Sequence, residues 1–202
     1  MSALLSFGKQ TSLPGITDFQ FVVDMVEDAA FFQAPERCDQ QIARTVPGQA
    51  VERGLRDFRL PGRRFEYKGE YNGARIYDDY AHHPGELAAL LDTAATLGYR
   101  RIICAFQPHT YSRTHELFDD FVKVLRQPDV TLLAEIYAAR ETNTLGISSR
   151  DLAEQIPGSV YCPTLDDVTA ALRRLAQPGD LILTVGAGDI YTAGEQLLHG
   201  TH

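Results

Sequence analysis

Cysteine is scarce in this 202-residue chain, and the few present show no pairing pattern. Cys38, Cys104 and Cys162 are odd in number, widely spaced and without any C-x-x-C, which argues against a disulfide scaffold or a zinc site and for reduced thiols. Long apolar runs are missing too: none approaches the roughly 20 residues of a membrane span. The first residues lack the basic start and apolar stretch of a secretion signal, with Lys9 following Leu4-Leu5. A cytoplasmic protein without a membrane partner is expected. Basic charge is also short. The formal net charge of −8 excludes a general nucleic-acid binder, which would carry a clustered basic face, but leaves room for a local basic pocket. No Ser or Cys sits in a nucleophile turn. Nor is there a phosphate loop. Gly8-Lys9-Gln10-Thr11 has Ala3 where a glycine is needed, Gln10 between the lysine and the hydroxyl, and too little chain before it for a strand.

What remains is ordinary globular material, 44% hydrophobic and 23% charged, enough for one substantial core or one domain with an appendage. Residues 1 to 50 say least: Phe19–Val23 reads as a short strand, with turns at Pro14-Gly15 and Pro47-Gly48. Val51–Phe58 reads as a short helix. The alternating segment Arg63–Tyr67 is expected to pair with Ala74–Tyr77 across Asn72-Gly73, the strongest two-residue hairpin signal. Adjacent arginines in a strand face opposite ways, so only one of Arg63 and Arg64 can look into a given site.

From Ala74 the pattern is regular. Short apolar runs at 74–77, 101–106, 130–135, 160–162 and 181–185 alternate with helical spacing at 84–97, 114–125, 148–155, 165–176 and 190–198. This alternation predicts an α/β fold: a Rossmann-like, doubly wound, mostly parallel sheet with right-handed crossovers.

Each strand ends in chemically unusual residues, and the carboxyl ends of a parallel sheet share one edge. They are Asp78-Asp79-Tyr80-Ala81-His82-His83, Gln107-Pro108-His109-Thr110-Tyr111-Ser112-Arg113-Thr114, Glu135-Ile136-Tyr137-Ala138-Ala139-Arg140-Glu141 and Gly186-Ala187-Gly188-Asp189. Arg113 and Arg140 can clamp a carboxylate or phosphate with paired N–H donors. His109 can orient an anion or exchange a proton near neutral pH; a structural histidine is the competing reading. Asp78 and Asp79 can accept from an ammonium group or ribose hydroxyls, or simply cap the next helix. Gly186 and Gly188 would let an anion approach a helix N-terminus. A metal set drawn from His82, His83, Asp78 and Asp79 is the weaker alternative, because adjacent histidines rarely both reach one ion, and no metal ligand is assigned.

Taken together, the strings GRRFEYKGEYNG, YDDYAHHPGE, FQPHTYSRTHELFDDF, EIYAARETN, SSRDLA and GAGDIY resemble, in order and spacing, the C-terminal domain of the Mur ligase family, in particular its UDP-N-acetylmuramate–L-alanine ligases; the resemblance covers about residues 51 to 198. It implies an ATP-dependent carbon–nitrogen ligase of peptidoglycan precursor synthesis, working through an acyl phosphate with ATP and Mg2+. It also implies a Rossmann-like domain, residues 61–202, that binds the amino acid. Residues 1–60 would be an N-terminal appendage, a remnant of the ATP-binding central domain. By position, His109 and Arg113 look like the residues gripping the alanine carboxylate or acyl phosphate, with Tyr137 and Arg140 in the same substrate set. Arg64, Asp79, Tyr80 and His82 look like the nucleotide-facing set. Where some members carry a second arginine after the histidine, this chain has Thr110.

The family's substrate-binding domain, glycine-rich ATP loop and magnesium ligands belong to roughly three hundred further residues. The expectation is therefore a ligase portion incomplete alone, its small-molecule substrates being L-alanine, UDP-N-acetylmuramate and ATP, with a separate chain as the source of the missing domains. The competing expectation is a non-catalytic amino-acid or nucleotide-sugar binding module derived from the same domain.

Overall fold

The structure, a computed structural model, describes residues 62–200. The expected strand at 19–23, the helix at 51–58, the loop around Lys9 and the appendage 1–60 lie outside the described residues. Within them, six strands form one sheet: β1 (Glu66–Tyr71), β2 (Ala74–Asp79), β3 (Arg101–Phe106), β4 (Val130–Ala134), β5 (Val160–Cys162) and β6 (Asp180–Val185). The spatial order is β1-β2-β6-β3-β4-β5, with β1 antiparallel to β2 and all other pairs parallel. The helices are α1 (Pro84–Thr96), α2 (Tyr111–Glu116), α3 (Phe118–Val124), α4 (Ser149–Gln155), α5 (Leu165–Leu175) and α6 (Tyr191–His199).

Period-2 alternation builds two cores on the two sheet faces. On one face Cys104, Phe106, Leu133, Leu181, Leu183 and Val185 pack against α1, α3 and α4. On the other, Ile76, Ile103, Ala105, Leu132 and Ile182 pack against α5 and α6. The change of face follows from handedness. The crossovers through α1, α3 and α4 all step toward β5, whereas α5 carries the chain back to β6, between β2 and β3. A right-handed crossover running the other way must pass over the opposite face. The strand ends of β2, β6, β3 and β4 thereby become neighbours.

Two elements differ from their sequence reading. The hairpin turn is where expected, with Asn72 at φ +49° and Gly73 at φ +74°, the left-handed pair that a two-residue loop needs. But β1 begins at Glu66, not Arg63, because Arg63 and Phe65 take φ of +64° and +45°. The strand argument about the paired arginines therefore does not apply. The single helix expected at 114–125 is two, α2 and α3, meeting at Leu117 (φ −107°, ψ +23°). Buried Thr114 bonds its hydroxyl back to Thr110 O at 2.7 Å, and such back-bonding bends helices.

Helix starts follow the sequence signals. On α5, Thr164 Oγ1 accepts from Asp167 N at 3.1 Å and Asp167 Oδ2 accepts from Thr164 N at 3.1 Å, a reciprocal capping box. Thr164→Ala is expected to lower unfolding free energy by about 1 kcal/mol. The urea midpoint should fall with an unchanged m-value; an unmoved midpoint would mean the box contributes nothing.

Candidate functional site

The junction of β2 and β6 is built around Arg63. Asp78 is fully buried, and Arg63 Nε donates to its Oδ2 at 2.7 Å while Thr184 Oγ1 donates to Oδ1 at 2.8 Å. The rest of the guanidinium reaches across to the loop after β6. Nη2 donates to Gly186 O at 2.6 Å and Nη1 to Gly188 O at 2.9 Å. Arg63 also sits 5.2 Å from the Tyr80 ring centroid and 4.8 Å from that of Tyr191. A planar donor fork with three acceptors and two aromatic faces is a use of arginine that lysine cannot reproduce. Arg64 is the outward member of the pair, exposed, its guanidinium 5.7 Å from the same Tyr80 ring.

Asp79 is 8% exposed and its carboxylate already organises backbone: Oδ1 accepts from Ala81 N and Oδ2 from Phe65 N, both at 2.8 Å. Burial pushes its carboxyl up, opposed by those two N–H groups and the nearby Arg64. His83 is committed to the helix: its Nδ1 accepts from Gly85 N at 3.2 Å and caps α1, with Glu86 closing the box. With Asp78 tied to Arg63 and His83 to the helix, the four residues weighed as a metal set point to different tasks. Among the described residues no group of three His, Cys, Asp or Glu could hold a metal.

The glycine loop after β6 does not form an anion cradle. A Cβ on Gly186 would stand 2.6 Å from Gln107 O, and one on Gly188 would meet Gln107 Oε1 and lie 2.7 Å from Tyr137 Cγ. The close approach serves this chain's own side chains, and both glycine carbonyls turn to Arg63. Gln107, 5% exposed, locks the loop from β3: its Nε2 donates to Asp189 Oδ1 at 2.8 Å and its Oε1 accepts from Ile190 N at 3.1 Å. The N–H at the start of α6 is thus satisfied internally.

The ends of β3 and β4 are stitched together beyond the strands. Tyr137 N donates to Pro108 O and Thr110 N to Tyr137 O, each at 2.9 Å, an isolated parallel bridge at His109 and Tyr137. The His109 ring stacks on Tyr137 with centroids 5.7 Å apart, and the His82 ring meets His109 edge-on at 5.9 Å. His82 in turn lies 5.5 Å from Tyr80. Tyr80, His82, His109 and Tyr137 therefore form one aromatic wall.

Against that wall two polar atoms stand out. His109 Nδ1 and Arg113 Nη1 are both buried and neither has a hydrogen-bond partner. A buried polar atom without a partner costs about 1–3 kcal/mol, and more when charged. Two of them, on the loop after β3 and the first turn of α2, mark a place suited to an acceptor. Burial lowers the pKa of His109 below its ordinary value, helped by the positive charge of Arg113 and by His82, while Glu141 opposes the shift. An anion bound there would draw a proton onto the ring.

Of the residues singled out from sequence, the structure gathers Tyr80, His82, His109, Arg113 and Tyr137, with Asp79 and Arg64 at the β2 edge. Arg140 is exposed on the loop after β4. Sequence reading passed over Gln107, Arg63 and Glu141. The first two stand inside the strings FQPH and GRRF, but their side-chain hydrogen-bond partners are 82 or more residues away, apart from the Arg63–Asp78 pair.

The family model for the Mur ligase, glutamate ligase domain, matches residues 63–188. The UDP-N-acetylmuramate–L-alanine ligase of Lachnospira eligens is 48% identical over 158 residues, which are 76% of this chain and 34% of that protein. The chain thus spans about a third of the length of the curated relatives it matches. Among solved structures, the UDP-N-acetylmuramate–alanine ligase of Thermotoga maritima superposes with a TM-score of 0.59 at 21% identity, over 93% of this chain and 38% of that one. The bifunctional folylpolyglutamate synthase/dihydrofolate synthase of Yersinia pestis, solved with AMPPNP and a manganese ion, gives 0.56 at 18% identity over 76% and 34%. At such identities these structures speak for a shared fold.

Proposed function

This chain belongs to the Mur ligase family by its C-terminal, glutamate ligase domain, and on that premise we propose that it provides the amino-acid-binding part of an ATP-dependent UDP-N-acetylmuramate–L-alanine ligase. The observation that carries the reading is the pair of unpartnered, buried nitrogens His109 Nδ1 and Arg113 Nη1, of which Nδ1 donates in the protonated ring or in its Nδ1–H tautomer. A fork and an imidazole on one loop suit a small carboxylate, and the charge-assisted bonds they offer are the stronger class. In this reading the alanine carboxylate sits on His109 and Arg113, Tyr137 walls the pocket, and Arg140 closes over it from the loop after β4. Holding the carboxylate fixes the amine for attack on an acyl phosphate, so positioning supplies much of the rate. Arg113 can also offset charge on the departing phosphate.

Arg64, Asp79, Tyr80 and His82 form the nucleotide side. Arg64 carries the exposed charge, Tyr80 an aromatic face 36% exposed, and Asp79 retains acceptor capacity beyond its two backbone bonds. ATP and Mg2+ serve the whole enzyme. Their phosphate cradle and metal ligands are assigned outside the described residues, since the loop at Gly186–Gly188 is filled by Gln107 and Tyr137. The domain boundary is placed near residue 61 and the site of action in the cytoplasm. No helix among the described residues is long and apolar enough to cross a membrane.

The test measures phosphate release with ATP, magnesium, UDP-N-acetylmuramate and L-alanine, with and without a supplied N-terminal ligase portion. Turnover is expected only in the complemented mixture, and Arg113→Ala there should lower kcat/KM for alanine by about 100-fold. No turnover with or without complementation would favour the non-catalytic binding module.

A further inference from the structure

Glu141, on the loop after β4, reaches over to the loop after β3 and holds it by its backbone. Its carboxylate accepts from Ser112 N at 2.9 Å and from the Ser112 hydroxyl. The Tyr111 N–H and the Thr110 hydroxyl also favour its charged form, and these bonds with Ser112 first keep its carboxyl below the ordinary value. Thr110 begins α2 with φ +68° and no side-chain cap of its own on the helix. A β-branched residue in left-handed backbone is a genuine outlier, kept only where the surroundings over-determine it. The other end of the latch is strained as well. Ala139 has φ +52° within a turn closed by Glu141 N donating to Ala138 O at 2.9 Å.

The held segment lies between His109 and Arg113. With its oxygens directed to Ser112, Glu141 does not occupy Arg113 Nη1, which stays buried and unpartnered. We propose that Glu141 is a positioning residue that locks the strained Thr110–Ser112 segment, so that His109 and Arg113 converge on an incoming carboxylate. It touches neither substrate nor nucleotide. The proposal rests on the alanine-carboxylate reading of that pocket, and the experiment separates the two.

The charged and titratable groups that face His109 are Arg113 on α2, His82 after β2, and Tyr137 and Glu141 after β4. Three variants of the full chain are compared: Glu141→Gln, Glu141→Ala and Ser112→Ala. In the complemented ligase, Glu141→Ala is expected to raise KM for L-alanine at least tenfold, with kcat and KM for ATP within about threefold. Glu141→Gln, which keeps an acceptor oxygen, should recover part of that loss. By NMR on the chain alone, amide exchange at Ser112 should quicken at least tenfold in Glu141→Ala. The His109 pKa should fall in both Glu141 variants and hold in Ser112→Ala, which keeps the charge. An unchanged KM for alanine, or Ser112 exchange as slow as in the wild type, overturns the latch. If the wild type shows no dependence on alanine, the carboxylate reading fails. Ser112 exchange and the His109 titration then still decide whether Glu141 holds the loop.

Discussion

Arg63→Ala is expected to lower the stability of the domain by about 3–5 kcal/mol, the cost of removing one partner of a buried ion pair. The loss is large because the Asp78 side chain is fully buried and keeps only the Thr184 hydroxyl once Arg63 is gone. The carbonyls of Gly186 and Gly188 lose their donors in the same step. Against a typical total of about 5–15 kcal/mol, a change of this size brings the urea midpoint close to collapse. Two further variants test the cause. Arg63→Lys keeps the charge but not the fork, and should recover less than half of the loss. Adding Asp78→Asn to Arg63→Ala removes the stranded charge and should recover more. If the double variant is no more stable than Arg63→Ala, Asp78 is not the reason the arginine matters.

Gly188→Ala is expected to cost about 1–3 kcal/mol by overpacking, and to damage the pocket more than the fold. The new methyl would press on Gln107 Oε1 and on Tyr137, standing 2.9 Å from Tyr137 Cβ. Gln107 is fixed by its bonds to Asp189 and Ile190, so Tyr137 must give. Tyr137 is 38% exposed, and any shift of its ring disturbs the stacked His109. Alanine binding should therefore weaken at least tenfold, a loss of about 1.4 kcal/mol. Gly85→Ala is the control: its Cβ would make only ordinary contact, 3.5 Å from His83 Nδ1, and alanine suits a helix. Equal binding by Gly188→Ala and wild type would separate the glycine loop from the pocket.

Much of the sheet was legible because burial on both faces makes strands continuously apolar. Arg101–Phe106 and Val160–Cys162 have the bounds read from sequence. The break at Leu117 was not legible. It depends on Thr114 being buried and bonded back to Thr110, whereas periodicity sees only an unbroken apolar stripe. The site divides in the same way. His109 and Arg113 announced themselves by residue type at a strand end. Arg63 was passed over in favour of its neighbour Arg64, and Glu141 read as a loop carboxylate.

The sequence by itself determined that this is a doubly wound α/β domain of the Mur ligase family with polar and ionisable residues gathered along one sheet edge. Periodicity, turn residues and the order of the strand-end strings are local properties, and they carry that much. Only the tertiary structure decided which polar groups are occupied and which are empty. Asp78, Gln107 and the glycine loop turned out to be committed to internal bonds, and His109 Nδ1 and Arg113 Nη1 to be buried without any. The physical reason is that a hydrogen bond across a sheet edge joins residues far apart in the chain, and residue type alone does not say where a side chain's donors go.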